Sequence, residues 1–440
     1  MVNICRFVLA ATFLFSGFVK LNDPAGTQYK IEDYGQVFGL SSLLVYPFPL
    51  LLAAILGVVE FCLGAYMCFG IYKKRSTRTI LAFMLFYTPL TFYLALANPI
   101  SDCGCFGDVW VLTNWQTFWK NLLLLCAAWY AVRNKHSIVR FVTERNQWML
   151  SVYTSLYAML FVGIHFFHLP LIDFRPYHIG ADLLEKMGVS AQEEAQMETY
   201  FIMEKDGERK EFTLENYPDS TWTFVDSRTE TIGGELKEPE IADFQMRLVE
   251  TGQDITEALL RQDGYKFLLV APYLEQADDG VMDRIALLND YCAEHGYPLY
   301  CLTSSGEEGI TRWKNLTGSE YPFCHSDAVV LKTMVRSNPG LMLLHGSTVV
   351  NKWSSFFFPK EEELQGALEE LPLAHPSQSG YLMKILSAFL WYCIPLLFLT
   401  LADRLWVAFK LRNLHKIGGN GNKNTPIAQN GDGKDTEETK

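Results

Sequence analysis

Residues 48–72 read FPLLLAAILGVVEFCLGAYMCFGIY, and Glu60 is their only charged side chain. A helix that spans a membrane needs about 20 consecutive and mostly apolar residues, so this stretch predicts a spanning helix. Five more stretches share this composition and predict spans near Ile4–Val19, Thr79–Ala97, Phe118–Val132, Trp148–Phe167 and Tyr381–Leu401. The sequence therefore predicts a multi-pass membrane protein with six helical spans.

The first of these spans is short, and it carries Arg6 and Lys20 close to its ends. A cleaved signal peptide is the competing interpretation of an N-terminal apolar stretch. We favour a retained span because no Ala-x-Ala-like cleavage site precedes Lys20. Lysine and arginine side chains can also extend from a short span towards water.

The composition indicates a membrane part joined to a polar part. The chain has 440 residues, a net charge of −12 and a mean hydropathy of +0.07, which is apolar for a soluble protein and polar for a pure transporter. Residues 170–380 contain 37 acidic and 17 basic side chains, so the rest of the chain is net positive. An acidic polar segment would repel phosphate, which excludes nucleic acid as a partner.

The positions of the lysine and arginine residues predict how the chain is oriented in the membrane. Lys73–Arg78 follows the second predicted span, four more lysines and arginines follow the fourth, and others follow the sixth. With six spans these segments share one side, which the positive-inside rule makes cytoplasmic. We therefore expect a protein of the cytoplasmic (inner) membrane, in contact with lipid, with residues 170–380 extracytoplasmic and a disordered cytoplasmic tail at 418–440.

The chain is predicted to divide into six regions. These are a four-helix membrane bundle at 1–135, a fifth membrane helix within 136–169, a neck with little periodicity at 170–240, an α/β domain at 241–373, a sixth membrane helix at 381–402 and the tail. In the α/β domain, alternation and helical periodicity predict elements. The strands are Phe244–Val249, Lys266–Val270, Pro298–Leu302, Leu341–Leu344 and Thr348–Trp353, and the helices are Thr256–Leu260, Met282–His295, Ala328–Arg336 and Glu361–Leu371.

A short loop between the third and fourth spans reads Asp102-Cys103-Gly104-Cys105-Phe106-Gly107. A thiolate is the nucleophile of disulfide exchange, and a nearby second thiol resolves the mixed disulfide. A bridge across one residue closes a strained ring, which makes it easier to exchange. The alternative is a static cap of the bundle with a structural bridge, and the residue types do not choose between the two. A metal site has less support, because two thiolates without a nearby histidine make half a zinc site, so we predict no metal.

Glu60 lies deep in the second predicted span, where a carboxylate usually faces the interior of a bundle and has a partner. Lys20 and polar groups of neighbouring spans are the expected partners. A protonated Glu60 could relay protons or bind a quinone, and we assign Lys20 to the same cofactor site. The alternative role for Glu60 is a buried hydrogen bond that fixes helix packing.

The first four spans resemble the DoxX-like four-helix membrane proteins, and their MauE-like branch most closely. The resemblance covers about residues 1–135 and is carried by Phe15–Leu21 with Asp23-Pro24, by Glu60 with Gly64, and by the Cys103–Gly107 loop followed by Asn121. It implies a redox-associated bundle, linked to quinone reduction or to the maturation of disulfide-rich periplasmic proteins. The chain departs from this family by adding two spans and a large extracytoplasmic domain.

The α/β domain resembles the thioredoxin fold in its order of strands and helices. Asn338-Pro339 stands where that fold carries its cis-proline, so Pro339 is expected to be cis. Where the fold usually has Cys-x-x-Cys, this chain has Ala271–Glu275 without a cysteine. The resemblance therefore implies a redox-inert domain whose groove at Asn338 and Pro339 holds a client or partner peptide by backbone pairing. A purely structural turn is the alternative.

Two functions follow from these features, and a transporter has the least support because no inverted repeat is evident. The first is a thiol- or quinone-linked oxidoreductase, or an accessory subunit of one, in which Cys103, Cys105 and Glu60 are catalytic. It would exchange thiol and disulfide equivalents with a quinone or a periplasmic client protein. The second is a non-enzymatic, membrane-anchored assembly or binding protein with an inert thioredoxin-like domain.

Overall fold

A computed structural model describes residues 1–100, 102–189, 196–205, 208–212, 216, 222–232, 239–375 and 378–420. Its N-terminal region is helical, with α1 at Val2–Asn22, α2 at Pro24–Val37, α3 at Phe48–Phe69, α4 at Lys73–Ala97, α5 at Asn114–Arg133 and α6 at Gln147–His165. A short helix, α7 at Leu183–Lys186, follows. Next comes an antiparallel sheet in the order β2-β1-β3, formed by β1 at Gln196–Lys205, β2 at Glu208–Phe212 and β3 at Thr223–Ile232.

The α/β region, residues 239–375, contains a second sheet. Its strands are β4 at Arg247–Leu248, β5 at Tyr265–Val270, β6 at Leu299–Thr303, β7 at Phe323–His325, β8 at Gly340–His345 and β9 at Thr348–Ser354. Its helices are α8 at Thr256–Arg261, α9 at Met282–His295, α10 at Glu307–Thr317 and α11 at Ala328–Met334. The chain then enters one long helix, α12 at Gln378–Asn420.

The strand order of the second sheet is β4-β7-β6-β5-β8-β9. Strands β5, β6 and β7 are parallel, as expected for strands joined by helices, whereas β8 and β9 form an antiparallel hairpin beside β5. Alternate residues of β5 enter separate cores, with Phe267 and Leu269 in one and Leu268 and Val270 in the other. Both faces of the central strand are therefore covered, which explains its continuous apolar sequence.

Among the described residues, five helices are long and apolar enough to cross a membrane: α1, α3, α4, α6 and the Leu382–Lys410 part of α12. They coincide with five of the six predicted spans, which confirms the prediction of a multi-pass membrane protein. The remaining predicted span, Phe118–Val132, lies within α5, a helix of 20 residues that is not among these five. The total of six spans remains a prediction.

Helices α1 and α3 cross with almost no space between their backbones. A Cβ atom on Gly17 would lie 2.4 Å from the backbone nitrogen of Phe61, and one on Gly64 would lie 2.5 Å from that of Leu14. Small residues allow helix backbones to approach closely inside a membrane, where packing drives association. The two glycines therefore set the distance between the helices that carry Lys20 and Glu60.

Several predicted elements were wrong. The segment 361–371 forms short 3₁₀ turns instead of a last helix, and the predicted strand Phe244–Val249 is reduced to the two residues of β4. The neck was expected to have little regular structure, but β1, β2 and β3 lie there. Residues 418–420, expected to be disordered, belong to α12, and the remainder of the predicted tail, 421–440, lies outside the described residues.

Outside the neck, the prediction missed two α-helices and one strand. Helix α2 lies in a segment expected to be a loop, and α10 and β7 were not recognised. The peptide bond between Asn338 and Pro339 is cis, which confirms that prediction.

A buried ion cluster joins the segment after α6 to the second sheet. Asp173 accepts from Arg175 Nε at 2.7 Å and from Lys352 Nζ at 2.6 Å, and all three side chains are largely buried. Lys352 also donates to the carbonyl oxygens of Tyr177 and Met334. Because this segment connects α6 to the α/β region, the cluster fixes that region close to the end of the membrane helices.

Candidate functional site

The Cys loop, Cys103–Gly107, lies in the connection between α4 and α5. The Sγ atoms of Cys103 and Cys105 are 2.8 Å apart, and both residues are free cysteines. Cys103 is 7% exposed and Cys105 is partly buried. Gly104 and Gly107 both have positive φ, at +67° and +53°, a conformation that other residues rarely adopt. The tight turn at these glycines brings the two thiols together.

Helix α2 supports this loop from one side. The Tyr34 hydroxyl donates to the Cys103 carbonyl oxygen at 3.1 Å, and Lys30 forms an ion pair with Asp102 at 2.6 Å. Asp102 in turn accepts from the Gly104 backbone amide at 2.9 Å. The α2 helix begins at Pro24, and the Asp23 side chain caps its N-terminus by accepting from Gly26 N.

Lys20 on α1 and Glu60 on α3 form an ion pair inside the bundle, as the sequence predicted for Glu60. Lys20 Nζ lies 2.8 Å from Glu60 Oε2, and the two side chains are 7% and 6% exposed. Ser16, one helical turn before Lys20, places its Oγ 2.7 Å from Glu60 Oε2 and accepts from Lys20 Nζ at the same distance. The buried charges are therefore paired and hydrogen-bonded, which their burial requires.

This buried pair contacts the Cys loop directly. The carbonyl oxygen of Cys105 lies 2.7 Å from Ser16 Oγ and accepts from Lys20 Nζ at 3.1 Å. The structure thus brings Lys20, Glu60 and the pair Cys103 and Cys105 together from three distant parts of the sequence. A change at the loop carbonyl would alter the hydrogen bonding of the ion pair, so the two parts form one site.

A cavity of about 510 Å³ opens beside this site. Most of its wall is apolar or aromatic and comes from α1 to α5, and the Cys loop, Lys20 and Glu60 supply part of its polar lining. Its lining also includes Phe38, Leu52 and Phe86, which are exposed on the outer surface of the helices. The bundle cavity therefore connects the polar groups with the exposed apolar surface of the helices.

The two thiols differ in acidity. A hydrogen bond from the Cys103 thiol, assisted by the positive charges of Lys120 and Lys20, lowers the pKa of Cys105 to about 6. The same hydrogen bond raises the pKa of Cys103, which is then the protonated partner. A thiol with a pKa near 6 is largely a thiolate at neutral pH and is the reactive member of such a pair.

A second, smaller cavity of about 190 Å³ lies on the other side of the Cys loop. This polar cleft is bounded by Gly104, Gly107 and Asp108, by α2, by the segment 170–175 and by Val329, Lys332 and Arg336 of the α/β region. Arg336 bridges the two regions, with its Nε 3.0 Å from Asp23 Oδ2 and its Nη2 2.8 Å from Asp108 Oδ2. The α/β region therefore sits directly over the loop.

The structure does not bring Asn338 and Pro339 into this site. Asn338 Nδ2 donates to the Tyr273 carbonyl, and the Asn338 carbonyl accepts from Asp278 N. The Pro339 carbonyl accepts from Ser337 Oγ, and the Pro339 side chain is buried. In the part of the chain that the structure describes, these hydrogen bonds all stay within the α/β region. Their role in holding a partner remains a prediction.

Sequence reasoning missed several members of the site. Tyr34 and Lys30 were missed because α2 was taken as a loop, and Lys120 was overlooked on a helix assigned only as a span. Ser16 had a usable signal, because its spacing of four from Lys20 places both on one helix face. Within the described residues there is no group of three or more histidine, cysteine, aspartate or glutamate side chains that could hold a metal ion.

Comparisons with protein families and with curated proteins give three findings. Residues 1–133 match the family described as methylamine utilisation protein MauE, so the N-terminal region is similar to that membrane family. Residues 197–233 match a domain of unknown function, DUF8463. No curated protein matches the chain.

Among solved structures, the chain is similar to a protein from Bacteroides thetaiotaomicron described as a candidate protein disulfide isomerase. The identity is 16%, the match covers 27% of this chain and 78% of that one, and the TM-score is 0.23. A likeness at this level establishes neither a shared fold nor a shared activity.

Proposed function

We propose that the chain is a membrane thiol oxidoreductase of the DoxX type, in which Cys103 and Cys105 exchange thiol and disulfide equivalents with a client and pass the electrons to a quinone. One observation carries this proposal: two thiols 2.8 Å apart line an apolar cavity that also contains a buried Lys20–Glu60 pair. A static cap would need neither the cavity nor the buried charges. The similarity of residues 1–133 to MauE supports a redox-associated role.

The Cys loop supplies the thiol chemistry. In the oxidised loop, a client thiolate attacks one sulfur of the Cys103–Cys105 disulfide, a mixed disulfide forms and the other cysteine leaves as a thiolate. A second client thiolate then attacks the client's own sulfur in that mixed disulfide. The client gains a disulfide and releases two protons and two electrons, which the two loop cysteines hold as thiols. Cys105 suits the role of leaving group because its pKa is lowered to about 6.

The bundle cavity fits a lipophilic quinone. Its wall combines the aromatic rings of Phe13, Phe83 and Tyr87 with aliphatic side chains, and its volume of about 510 Å³ is within the range of small-molecule sites. Asn121 offers a hydrogen-bond donor to a quinone oxygen among these apolar groups, and Lys20 would offer one by giving up its contact with Ser16 or with the Cys105 carbonyl. A quinone bound there would accept two electrons and two protons.

Glu60 and Lys20 are suited to hold and move a proton close to the thiols. Lys20 Nζ donates to Glu60 Oε2, to Ser16 Oγ and to the Cys105 carbonyl oxygen, so polar contacts join the loop to the buried carboxylate. Glu60 is the only acidic side chain among the residues that line the cavity. We assign it the role of proton relay, and Lys20 the role of holding the quinone and the Glu60 charge.

The orientation and the α/β region complete the proposal. We place residues 170–380 and the Cys loop on the extracytoplasmic side of a cytoplasmic membrane, because the positive loops lie on the opposite side and disulfides form in oxidising compartments. We assign the α/β region to the thioredoxin-like fold, supported by its parallel β5-β6 unit and its β8-β9 hairpin. Its cysteines, Cys292, Cys301 and Cys324, are buried, so this region acts without thiol chemistry of its own.

The test uses membranes that contain the full chain, with dithiothreitol as electron donor and a short-tailed quinone as acceptor. Cys103→Ser and Cys105→Ser should each reduce quinone reduction to the non-enzymatic background, because each breaks the dithiol. Cys126→Ser is the matched control, since Cys126 is an exposed cysteine of α5 outside the cavity. It should retain the rate of the unchanged protein. Full activity of the Cys103→Ser/Cys105→Ser variant would overturn the proposal.

A membrane-anchored assembly or binding protein is the second candidate function. It is favoured by the α/β region, in which residues 271–275 contain no cysteine and the region contacts the bundle through Arg336. Trapping of a mixed disulfide distinguishes the two candidate functions. With one loop cysteine changed to serine, the first function predicts a mixed disulfide between the other cysteine and a client, whereas a binding protein would form none.

A further inference from the structure

We propose that the α/β region selects the thiols that reach the Cys loop, and that Arg336 is the residue that determines this selection. The site admits thiols and disulfides that are small or carried on a single extended segment, and it excludes folded proteins while Arg336 is in place. This inference rests on the proposed thiol exchange. It assigns the α/β region a role in that reaction that needs no cysteine.

The first support is the position of the loop between two cavities. Thr27, Lys30 and Gly104 line both the bundle cavity and the polar cleft, so the Cys loop is the wall between them. The cysteine side chains line the bundle cavity, whereas only the glycines of the loop line the cleft. A thiol that enters through the cleft therefore meets the backbone of the loop at Gly104, between the two cysteines and beside the side chain of Lys30.

The second support is the way in which the α/β region covers the polar cleft. Arg336 forms ion pairs with Asp23 and Asp108, and its side chain is only 7% exposed. Lys332 and Arg336 also lie over the ring of Tyr29 on α2, at 4.7 and 5.4 Å from its centre. These contacts hold α11 and the residues after it against both α2 and the segment that follows the Cys loop.

The third support is size. The polar cleft holds about 190 Å³, less than half of the bundle cavity. A small thiol or one extended peptide segment can occupy such a space, but the surface of a folded protein cannot approach Gly104 unless the α/β region moves away. Because Asp108 follows Gly107 directly, the Arg336–Asp108 pair connects the cover to the end of the loop that it protects.

The experiment measures access instead of turnover. Membranes that contain the full chain are reduced chemically and treated with either a small sulfonated maleimide or a maleimide joined by a short linker to a small folded protein. Mass spectrometry of the peptide with Cys103 and Cys105 then gives both rates of modification. Arg336→Gln should increase the rate with the large reagent by at least about tenfold, equivalent to about 1.4 kcal/mol, and leave the rate with the small reagent nearly unchanged.

Two further variants make the result decisive. Asp108→Asn removes only one ion pair and should give a smaller increase in the same direction, even if Arg336→Gln does not fold. Arg312→Gln changes an exposed arginine of α10 and should change neither rate. The proposal is overturned if the large reagent modifies the unchanged protein as fast as the small one does, or if neither Arg336→Gln nor Asp108→Asn raises its rate. An equal rise for both reagents would also overturn it, because the loop would then have opened without size selection. The failure of thiol turnover would not affect these rates, so the two proposals fail separately.

Discussion

Replacing Glu60 with glutamine should destabilise the protein by about 3 kcal/mol. Breaking a buried ion pair by removing one partner costs roughly 3–5 kcal/mol, because the remaining charge stays buried without compensation. Here Lys20 would keep its contacts with Ser16 Oγ at 2.7 Å and with the Cys105 carbonyl at 3.1 Å. These neutral partners compensate part of the loss, which favours the lower end of the range.

The Lys20→Met/Glu60→Gln variant should recover most of that stability. With both charges removed, no isolated charge remains in the bundle, and a methionine can fill the space of the lysine stem. Each single variant leaves one buried charge and should cost about 3 kcal/mol, so the double variant should lose much less stability than the sum of the two, as expected of residues in direct contact.

The assay is denaturant unfolding of the full chain in detergent, followed by tryptophan fluorescence. The matched control is Glu257→Gln, which removes an ion pair with Arg261 whose side chains are 56% and 43% exposed. An exposed ion pair contributes about 0–1 kcal/mol to stability, so Glu257→Gln should change the free energy of unfolding little. If Glu60→Gln behaves like Glu257→Gln, or if the double variant is no more stable than Glu60→Gln alone, the reasoning about buried charge is wrong.

Three further predictions follow from the structure. The rate of Cys105 alkylation by iodoacetamide in the reduced protein should be half-maximal near pH 6 and should decrease at lower pH, because only the thiolate reacts. Lys120→Gln should raise the pH of this midpoint, and an unchanged midpoint would contradict the effect assigned to the Lys120 charge. Asp173→Asn should lower the free energy of unfolding by about 3–5 kcal/mol in the same denaturation assay, because it leaves Arg175 and Lys352 buried without a counter-charge. A loss of stability as small as that of Glu257→Gln would contradict this prediction. In right-side-out vesicles, an impermeant reagent should modify cysteines introduced in 170–380 but not in 73–78; modification of the latter would refute the proposed topology.

The apolar spans and the main strands could be predicted because each depends on a local pattern. Length and hydropathy alone identify a helix such as α3, and the continuous apolar sequence of β5 marks a strand covered on both faces. The pairing of Glu60 with Lys20 was also predictable, since a carboxylate inside a span needs a partner.

Other elements depend on contacts that a local pattern does not contain. Glutamate and leucine at 361–371 favour a helix, but Gly366 adopts a φ of +110° and interrupts it. Leu364 and Leu368, on either side of this glycine, are both buried in the core. Tertiary packing therefore outweighs the helix propensity of this segment. The β1 strand had a readable signal that was missed, because Tyr200-Phe201-Ile202-Met203 is a short apolar run with aromatic and β-branched residues.

The site itself was only partly predictable. The Cys loop and Glu60 stand out by residue type, whereas Arg336 looks like an ordinary charged residue after a helix. Its importance comes from Asp23 and Asp108, which lie more than 200 residues away in the sequence. Long-range ion pairs of this kind become visible only once the fold is known.

Helix α2 gives the molecule a mechanical connection between its two halves. One part of the helix holds the Cys loop through Tyr34 and Lys30, and another carries Tyr29 beneath the cations of the α/β region. A helix moves as a rigid rod over its 14 residues, so a displacement of the α/β region would turn α2 and pull on the peptide group between Cys103 and Gly104. The hypothesis is that α2 works as a lever, which converts the arrival of a partner into a change of spacing between the two sulfurs. Spin labels on α2 and α5 would measure it: a distance that stays fixed when Arg336 is replaced would show that the lever does not move.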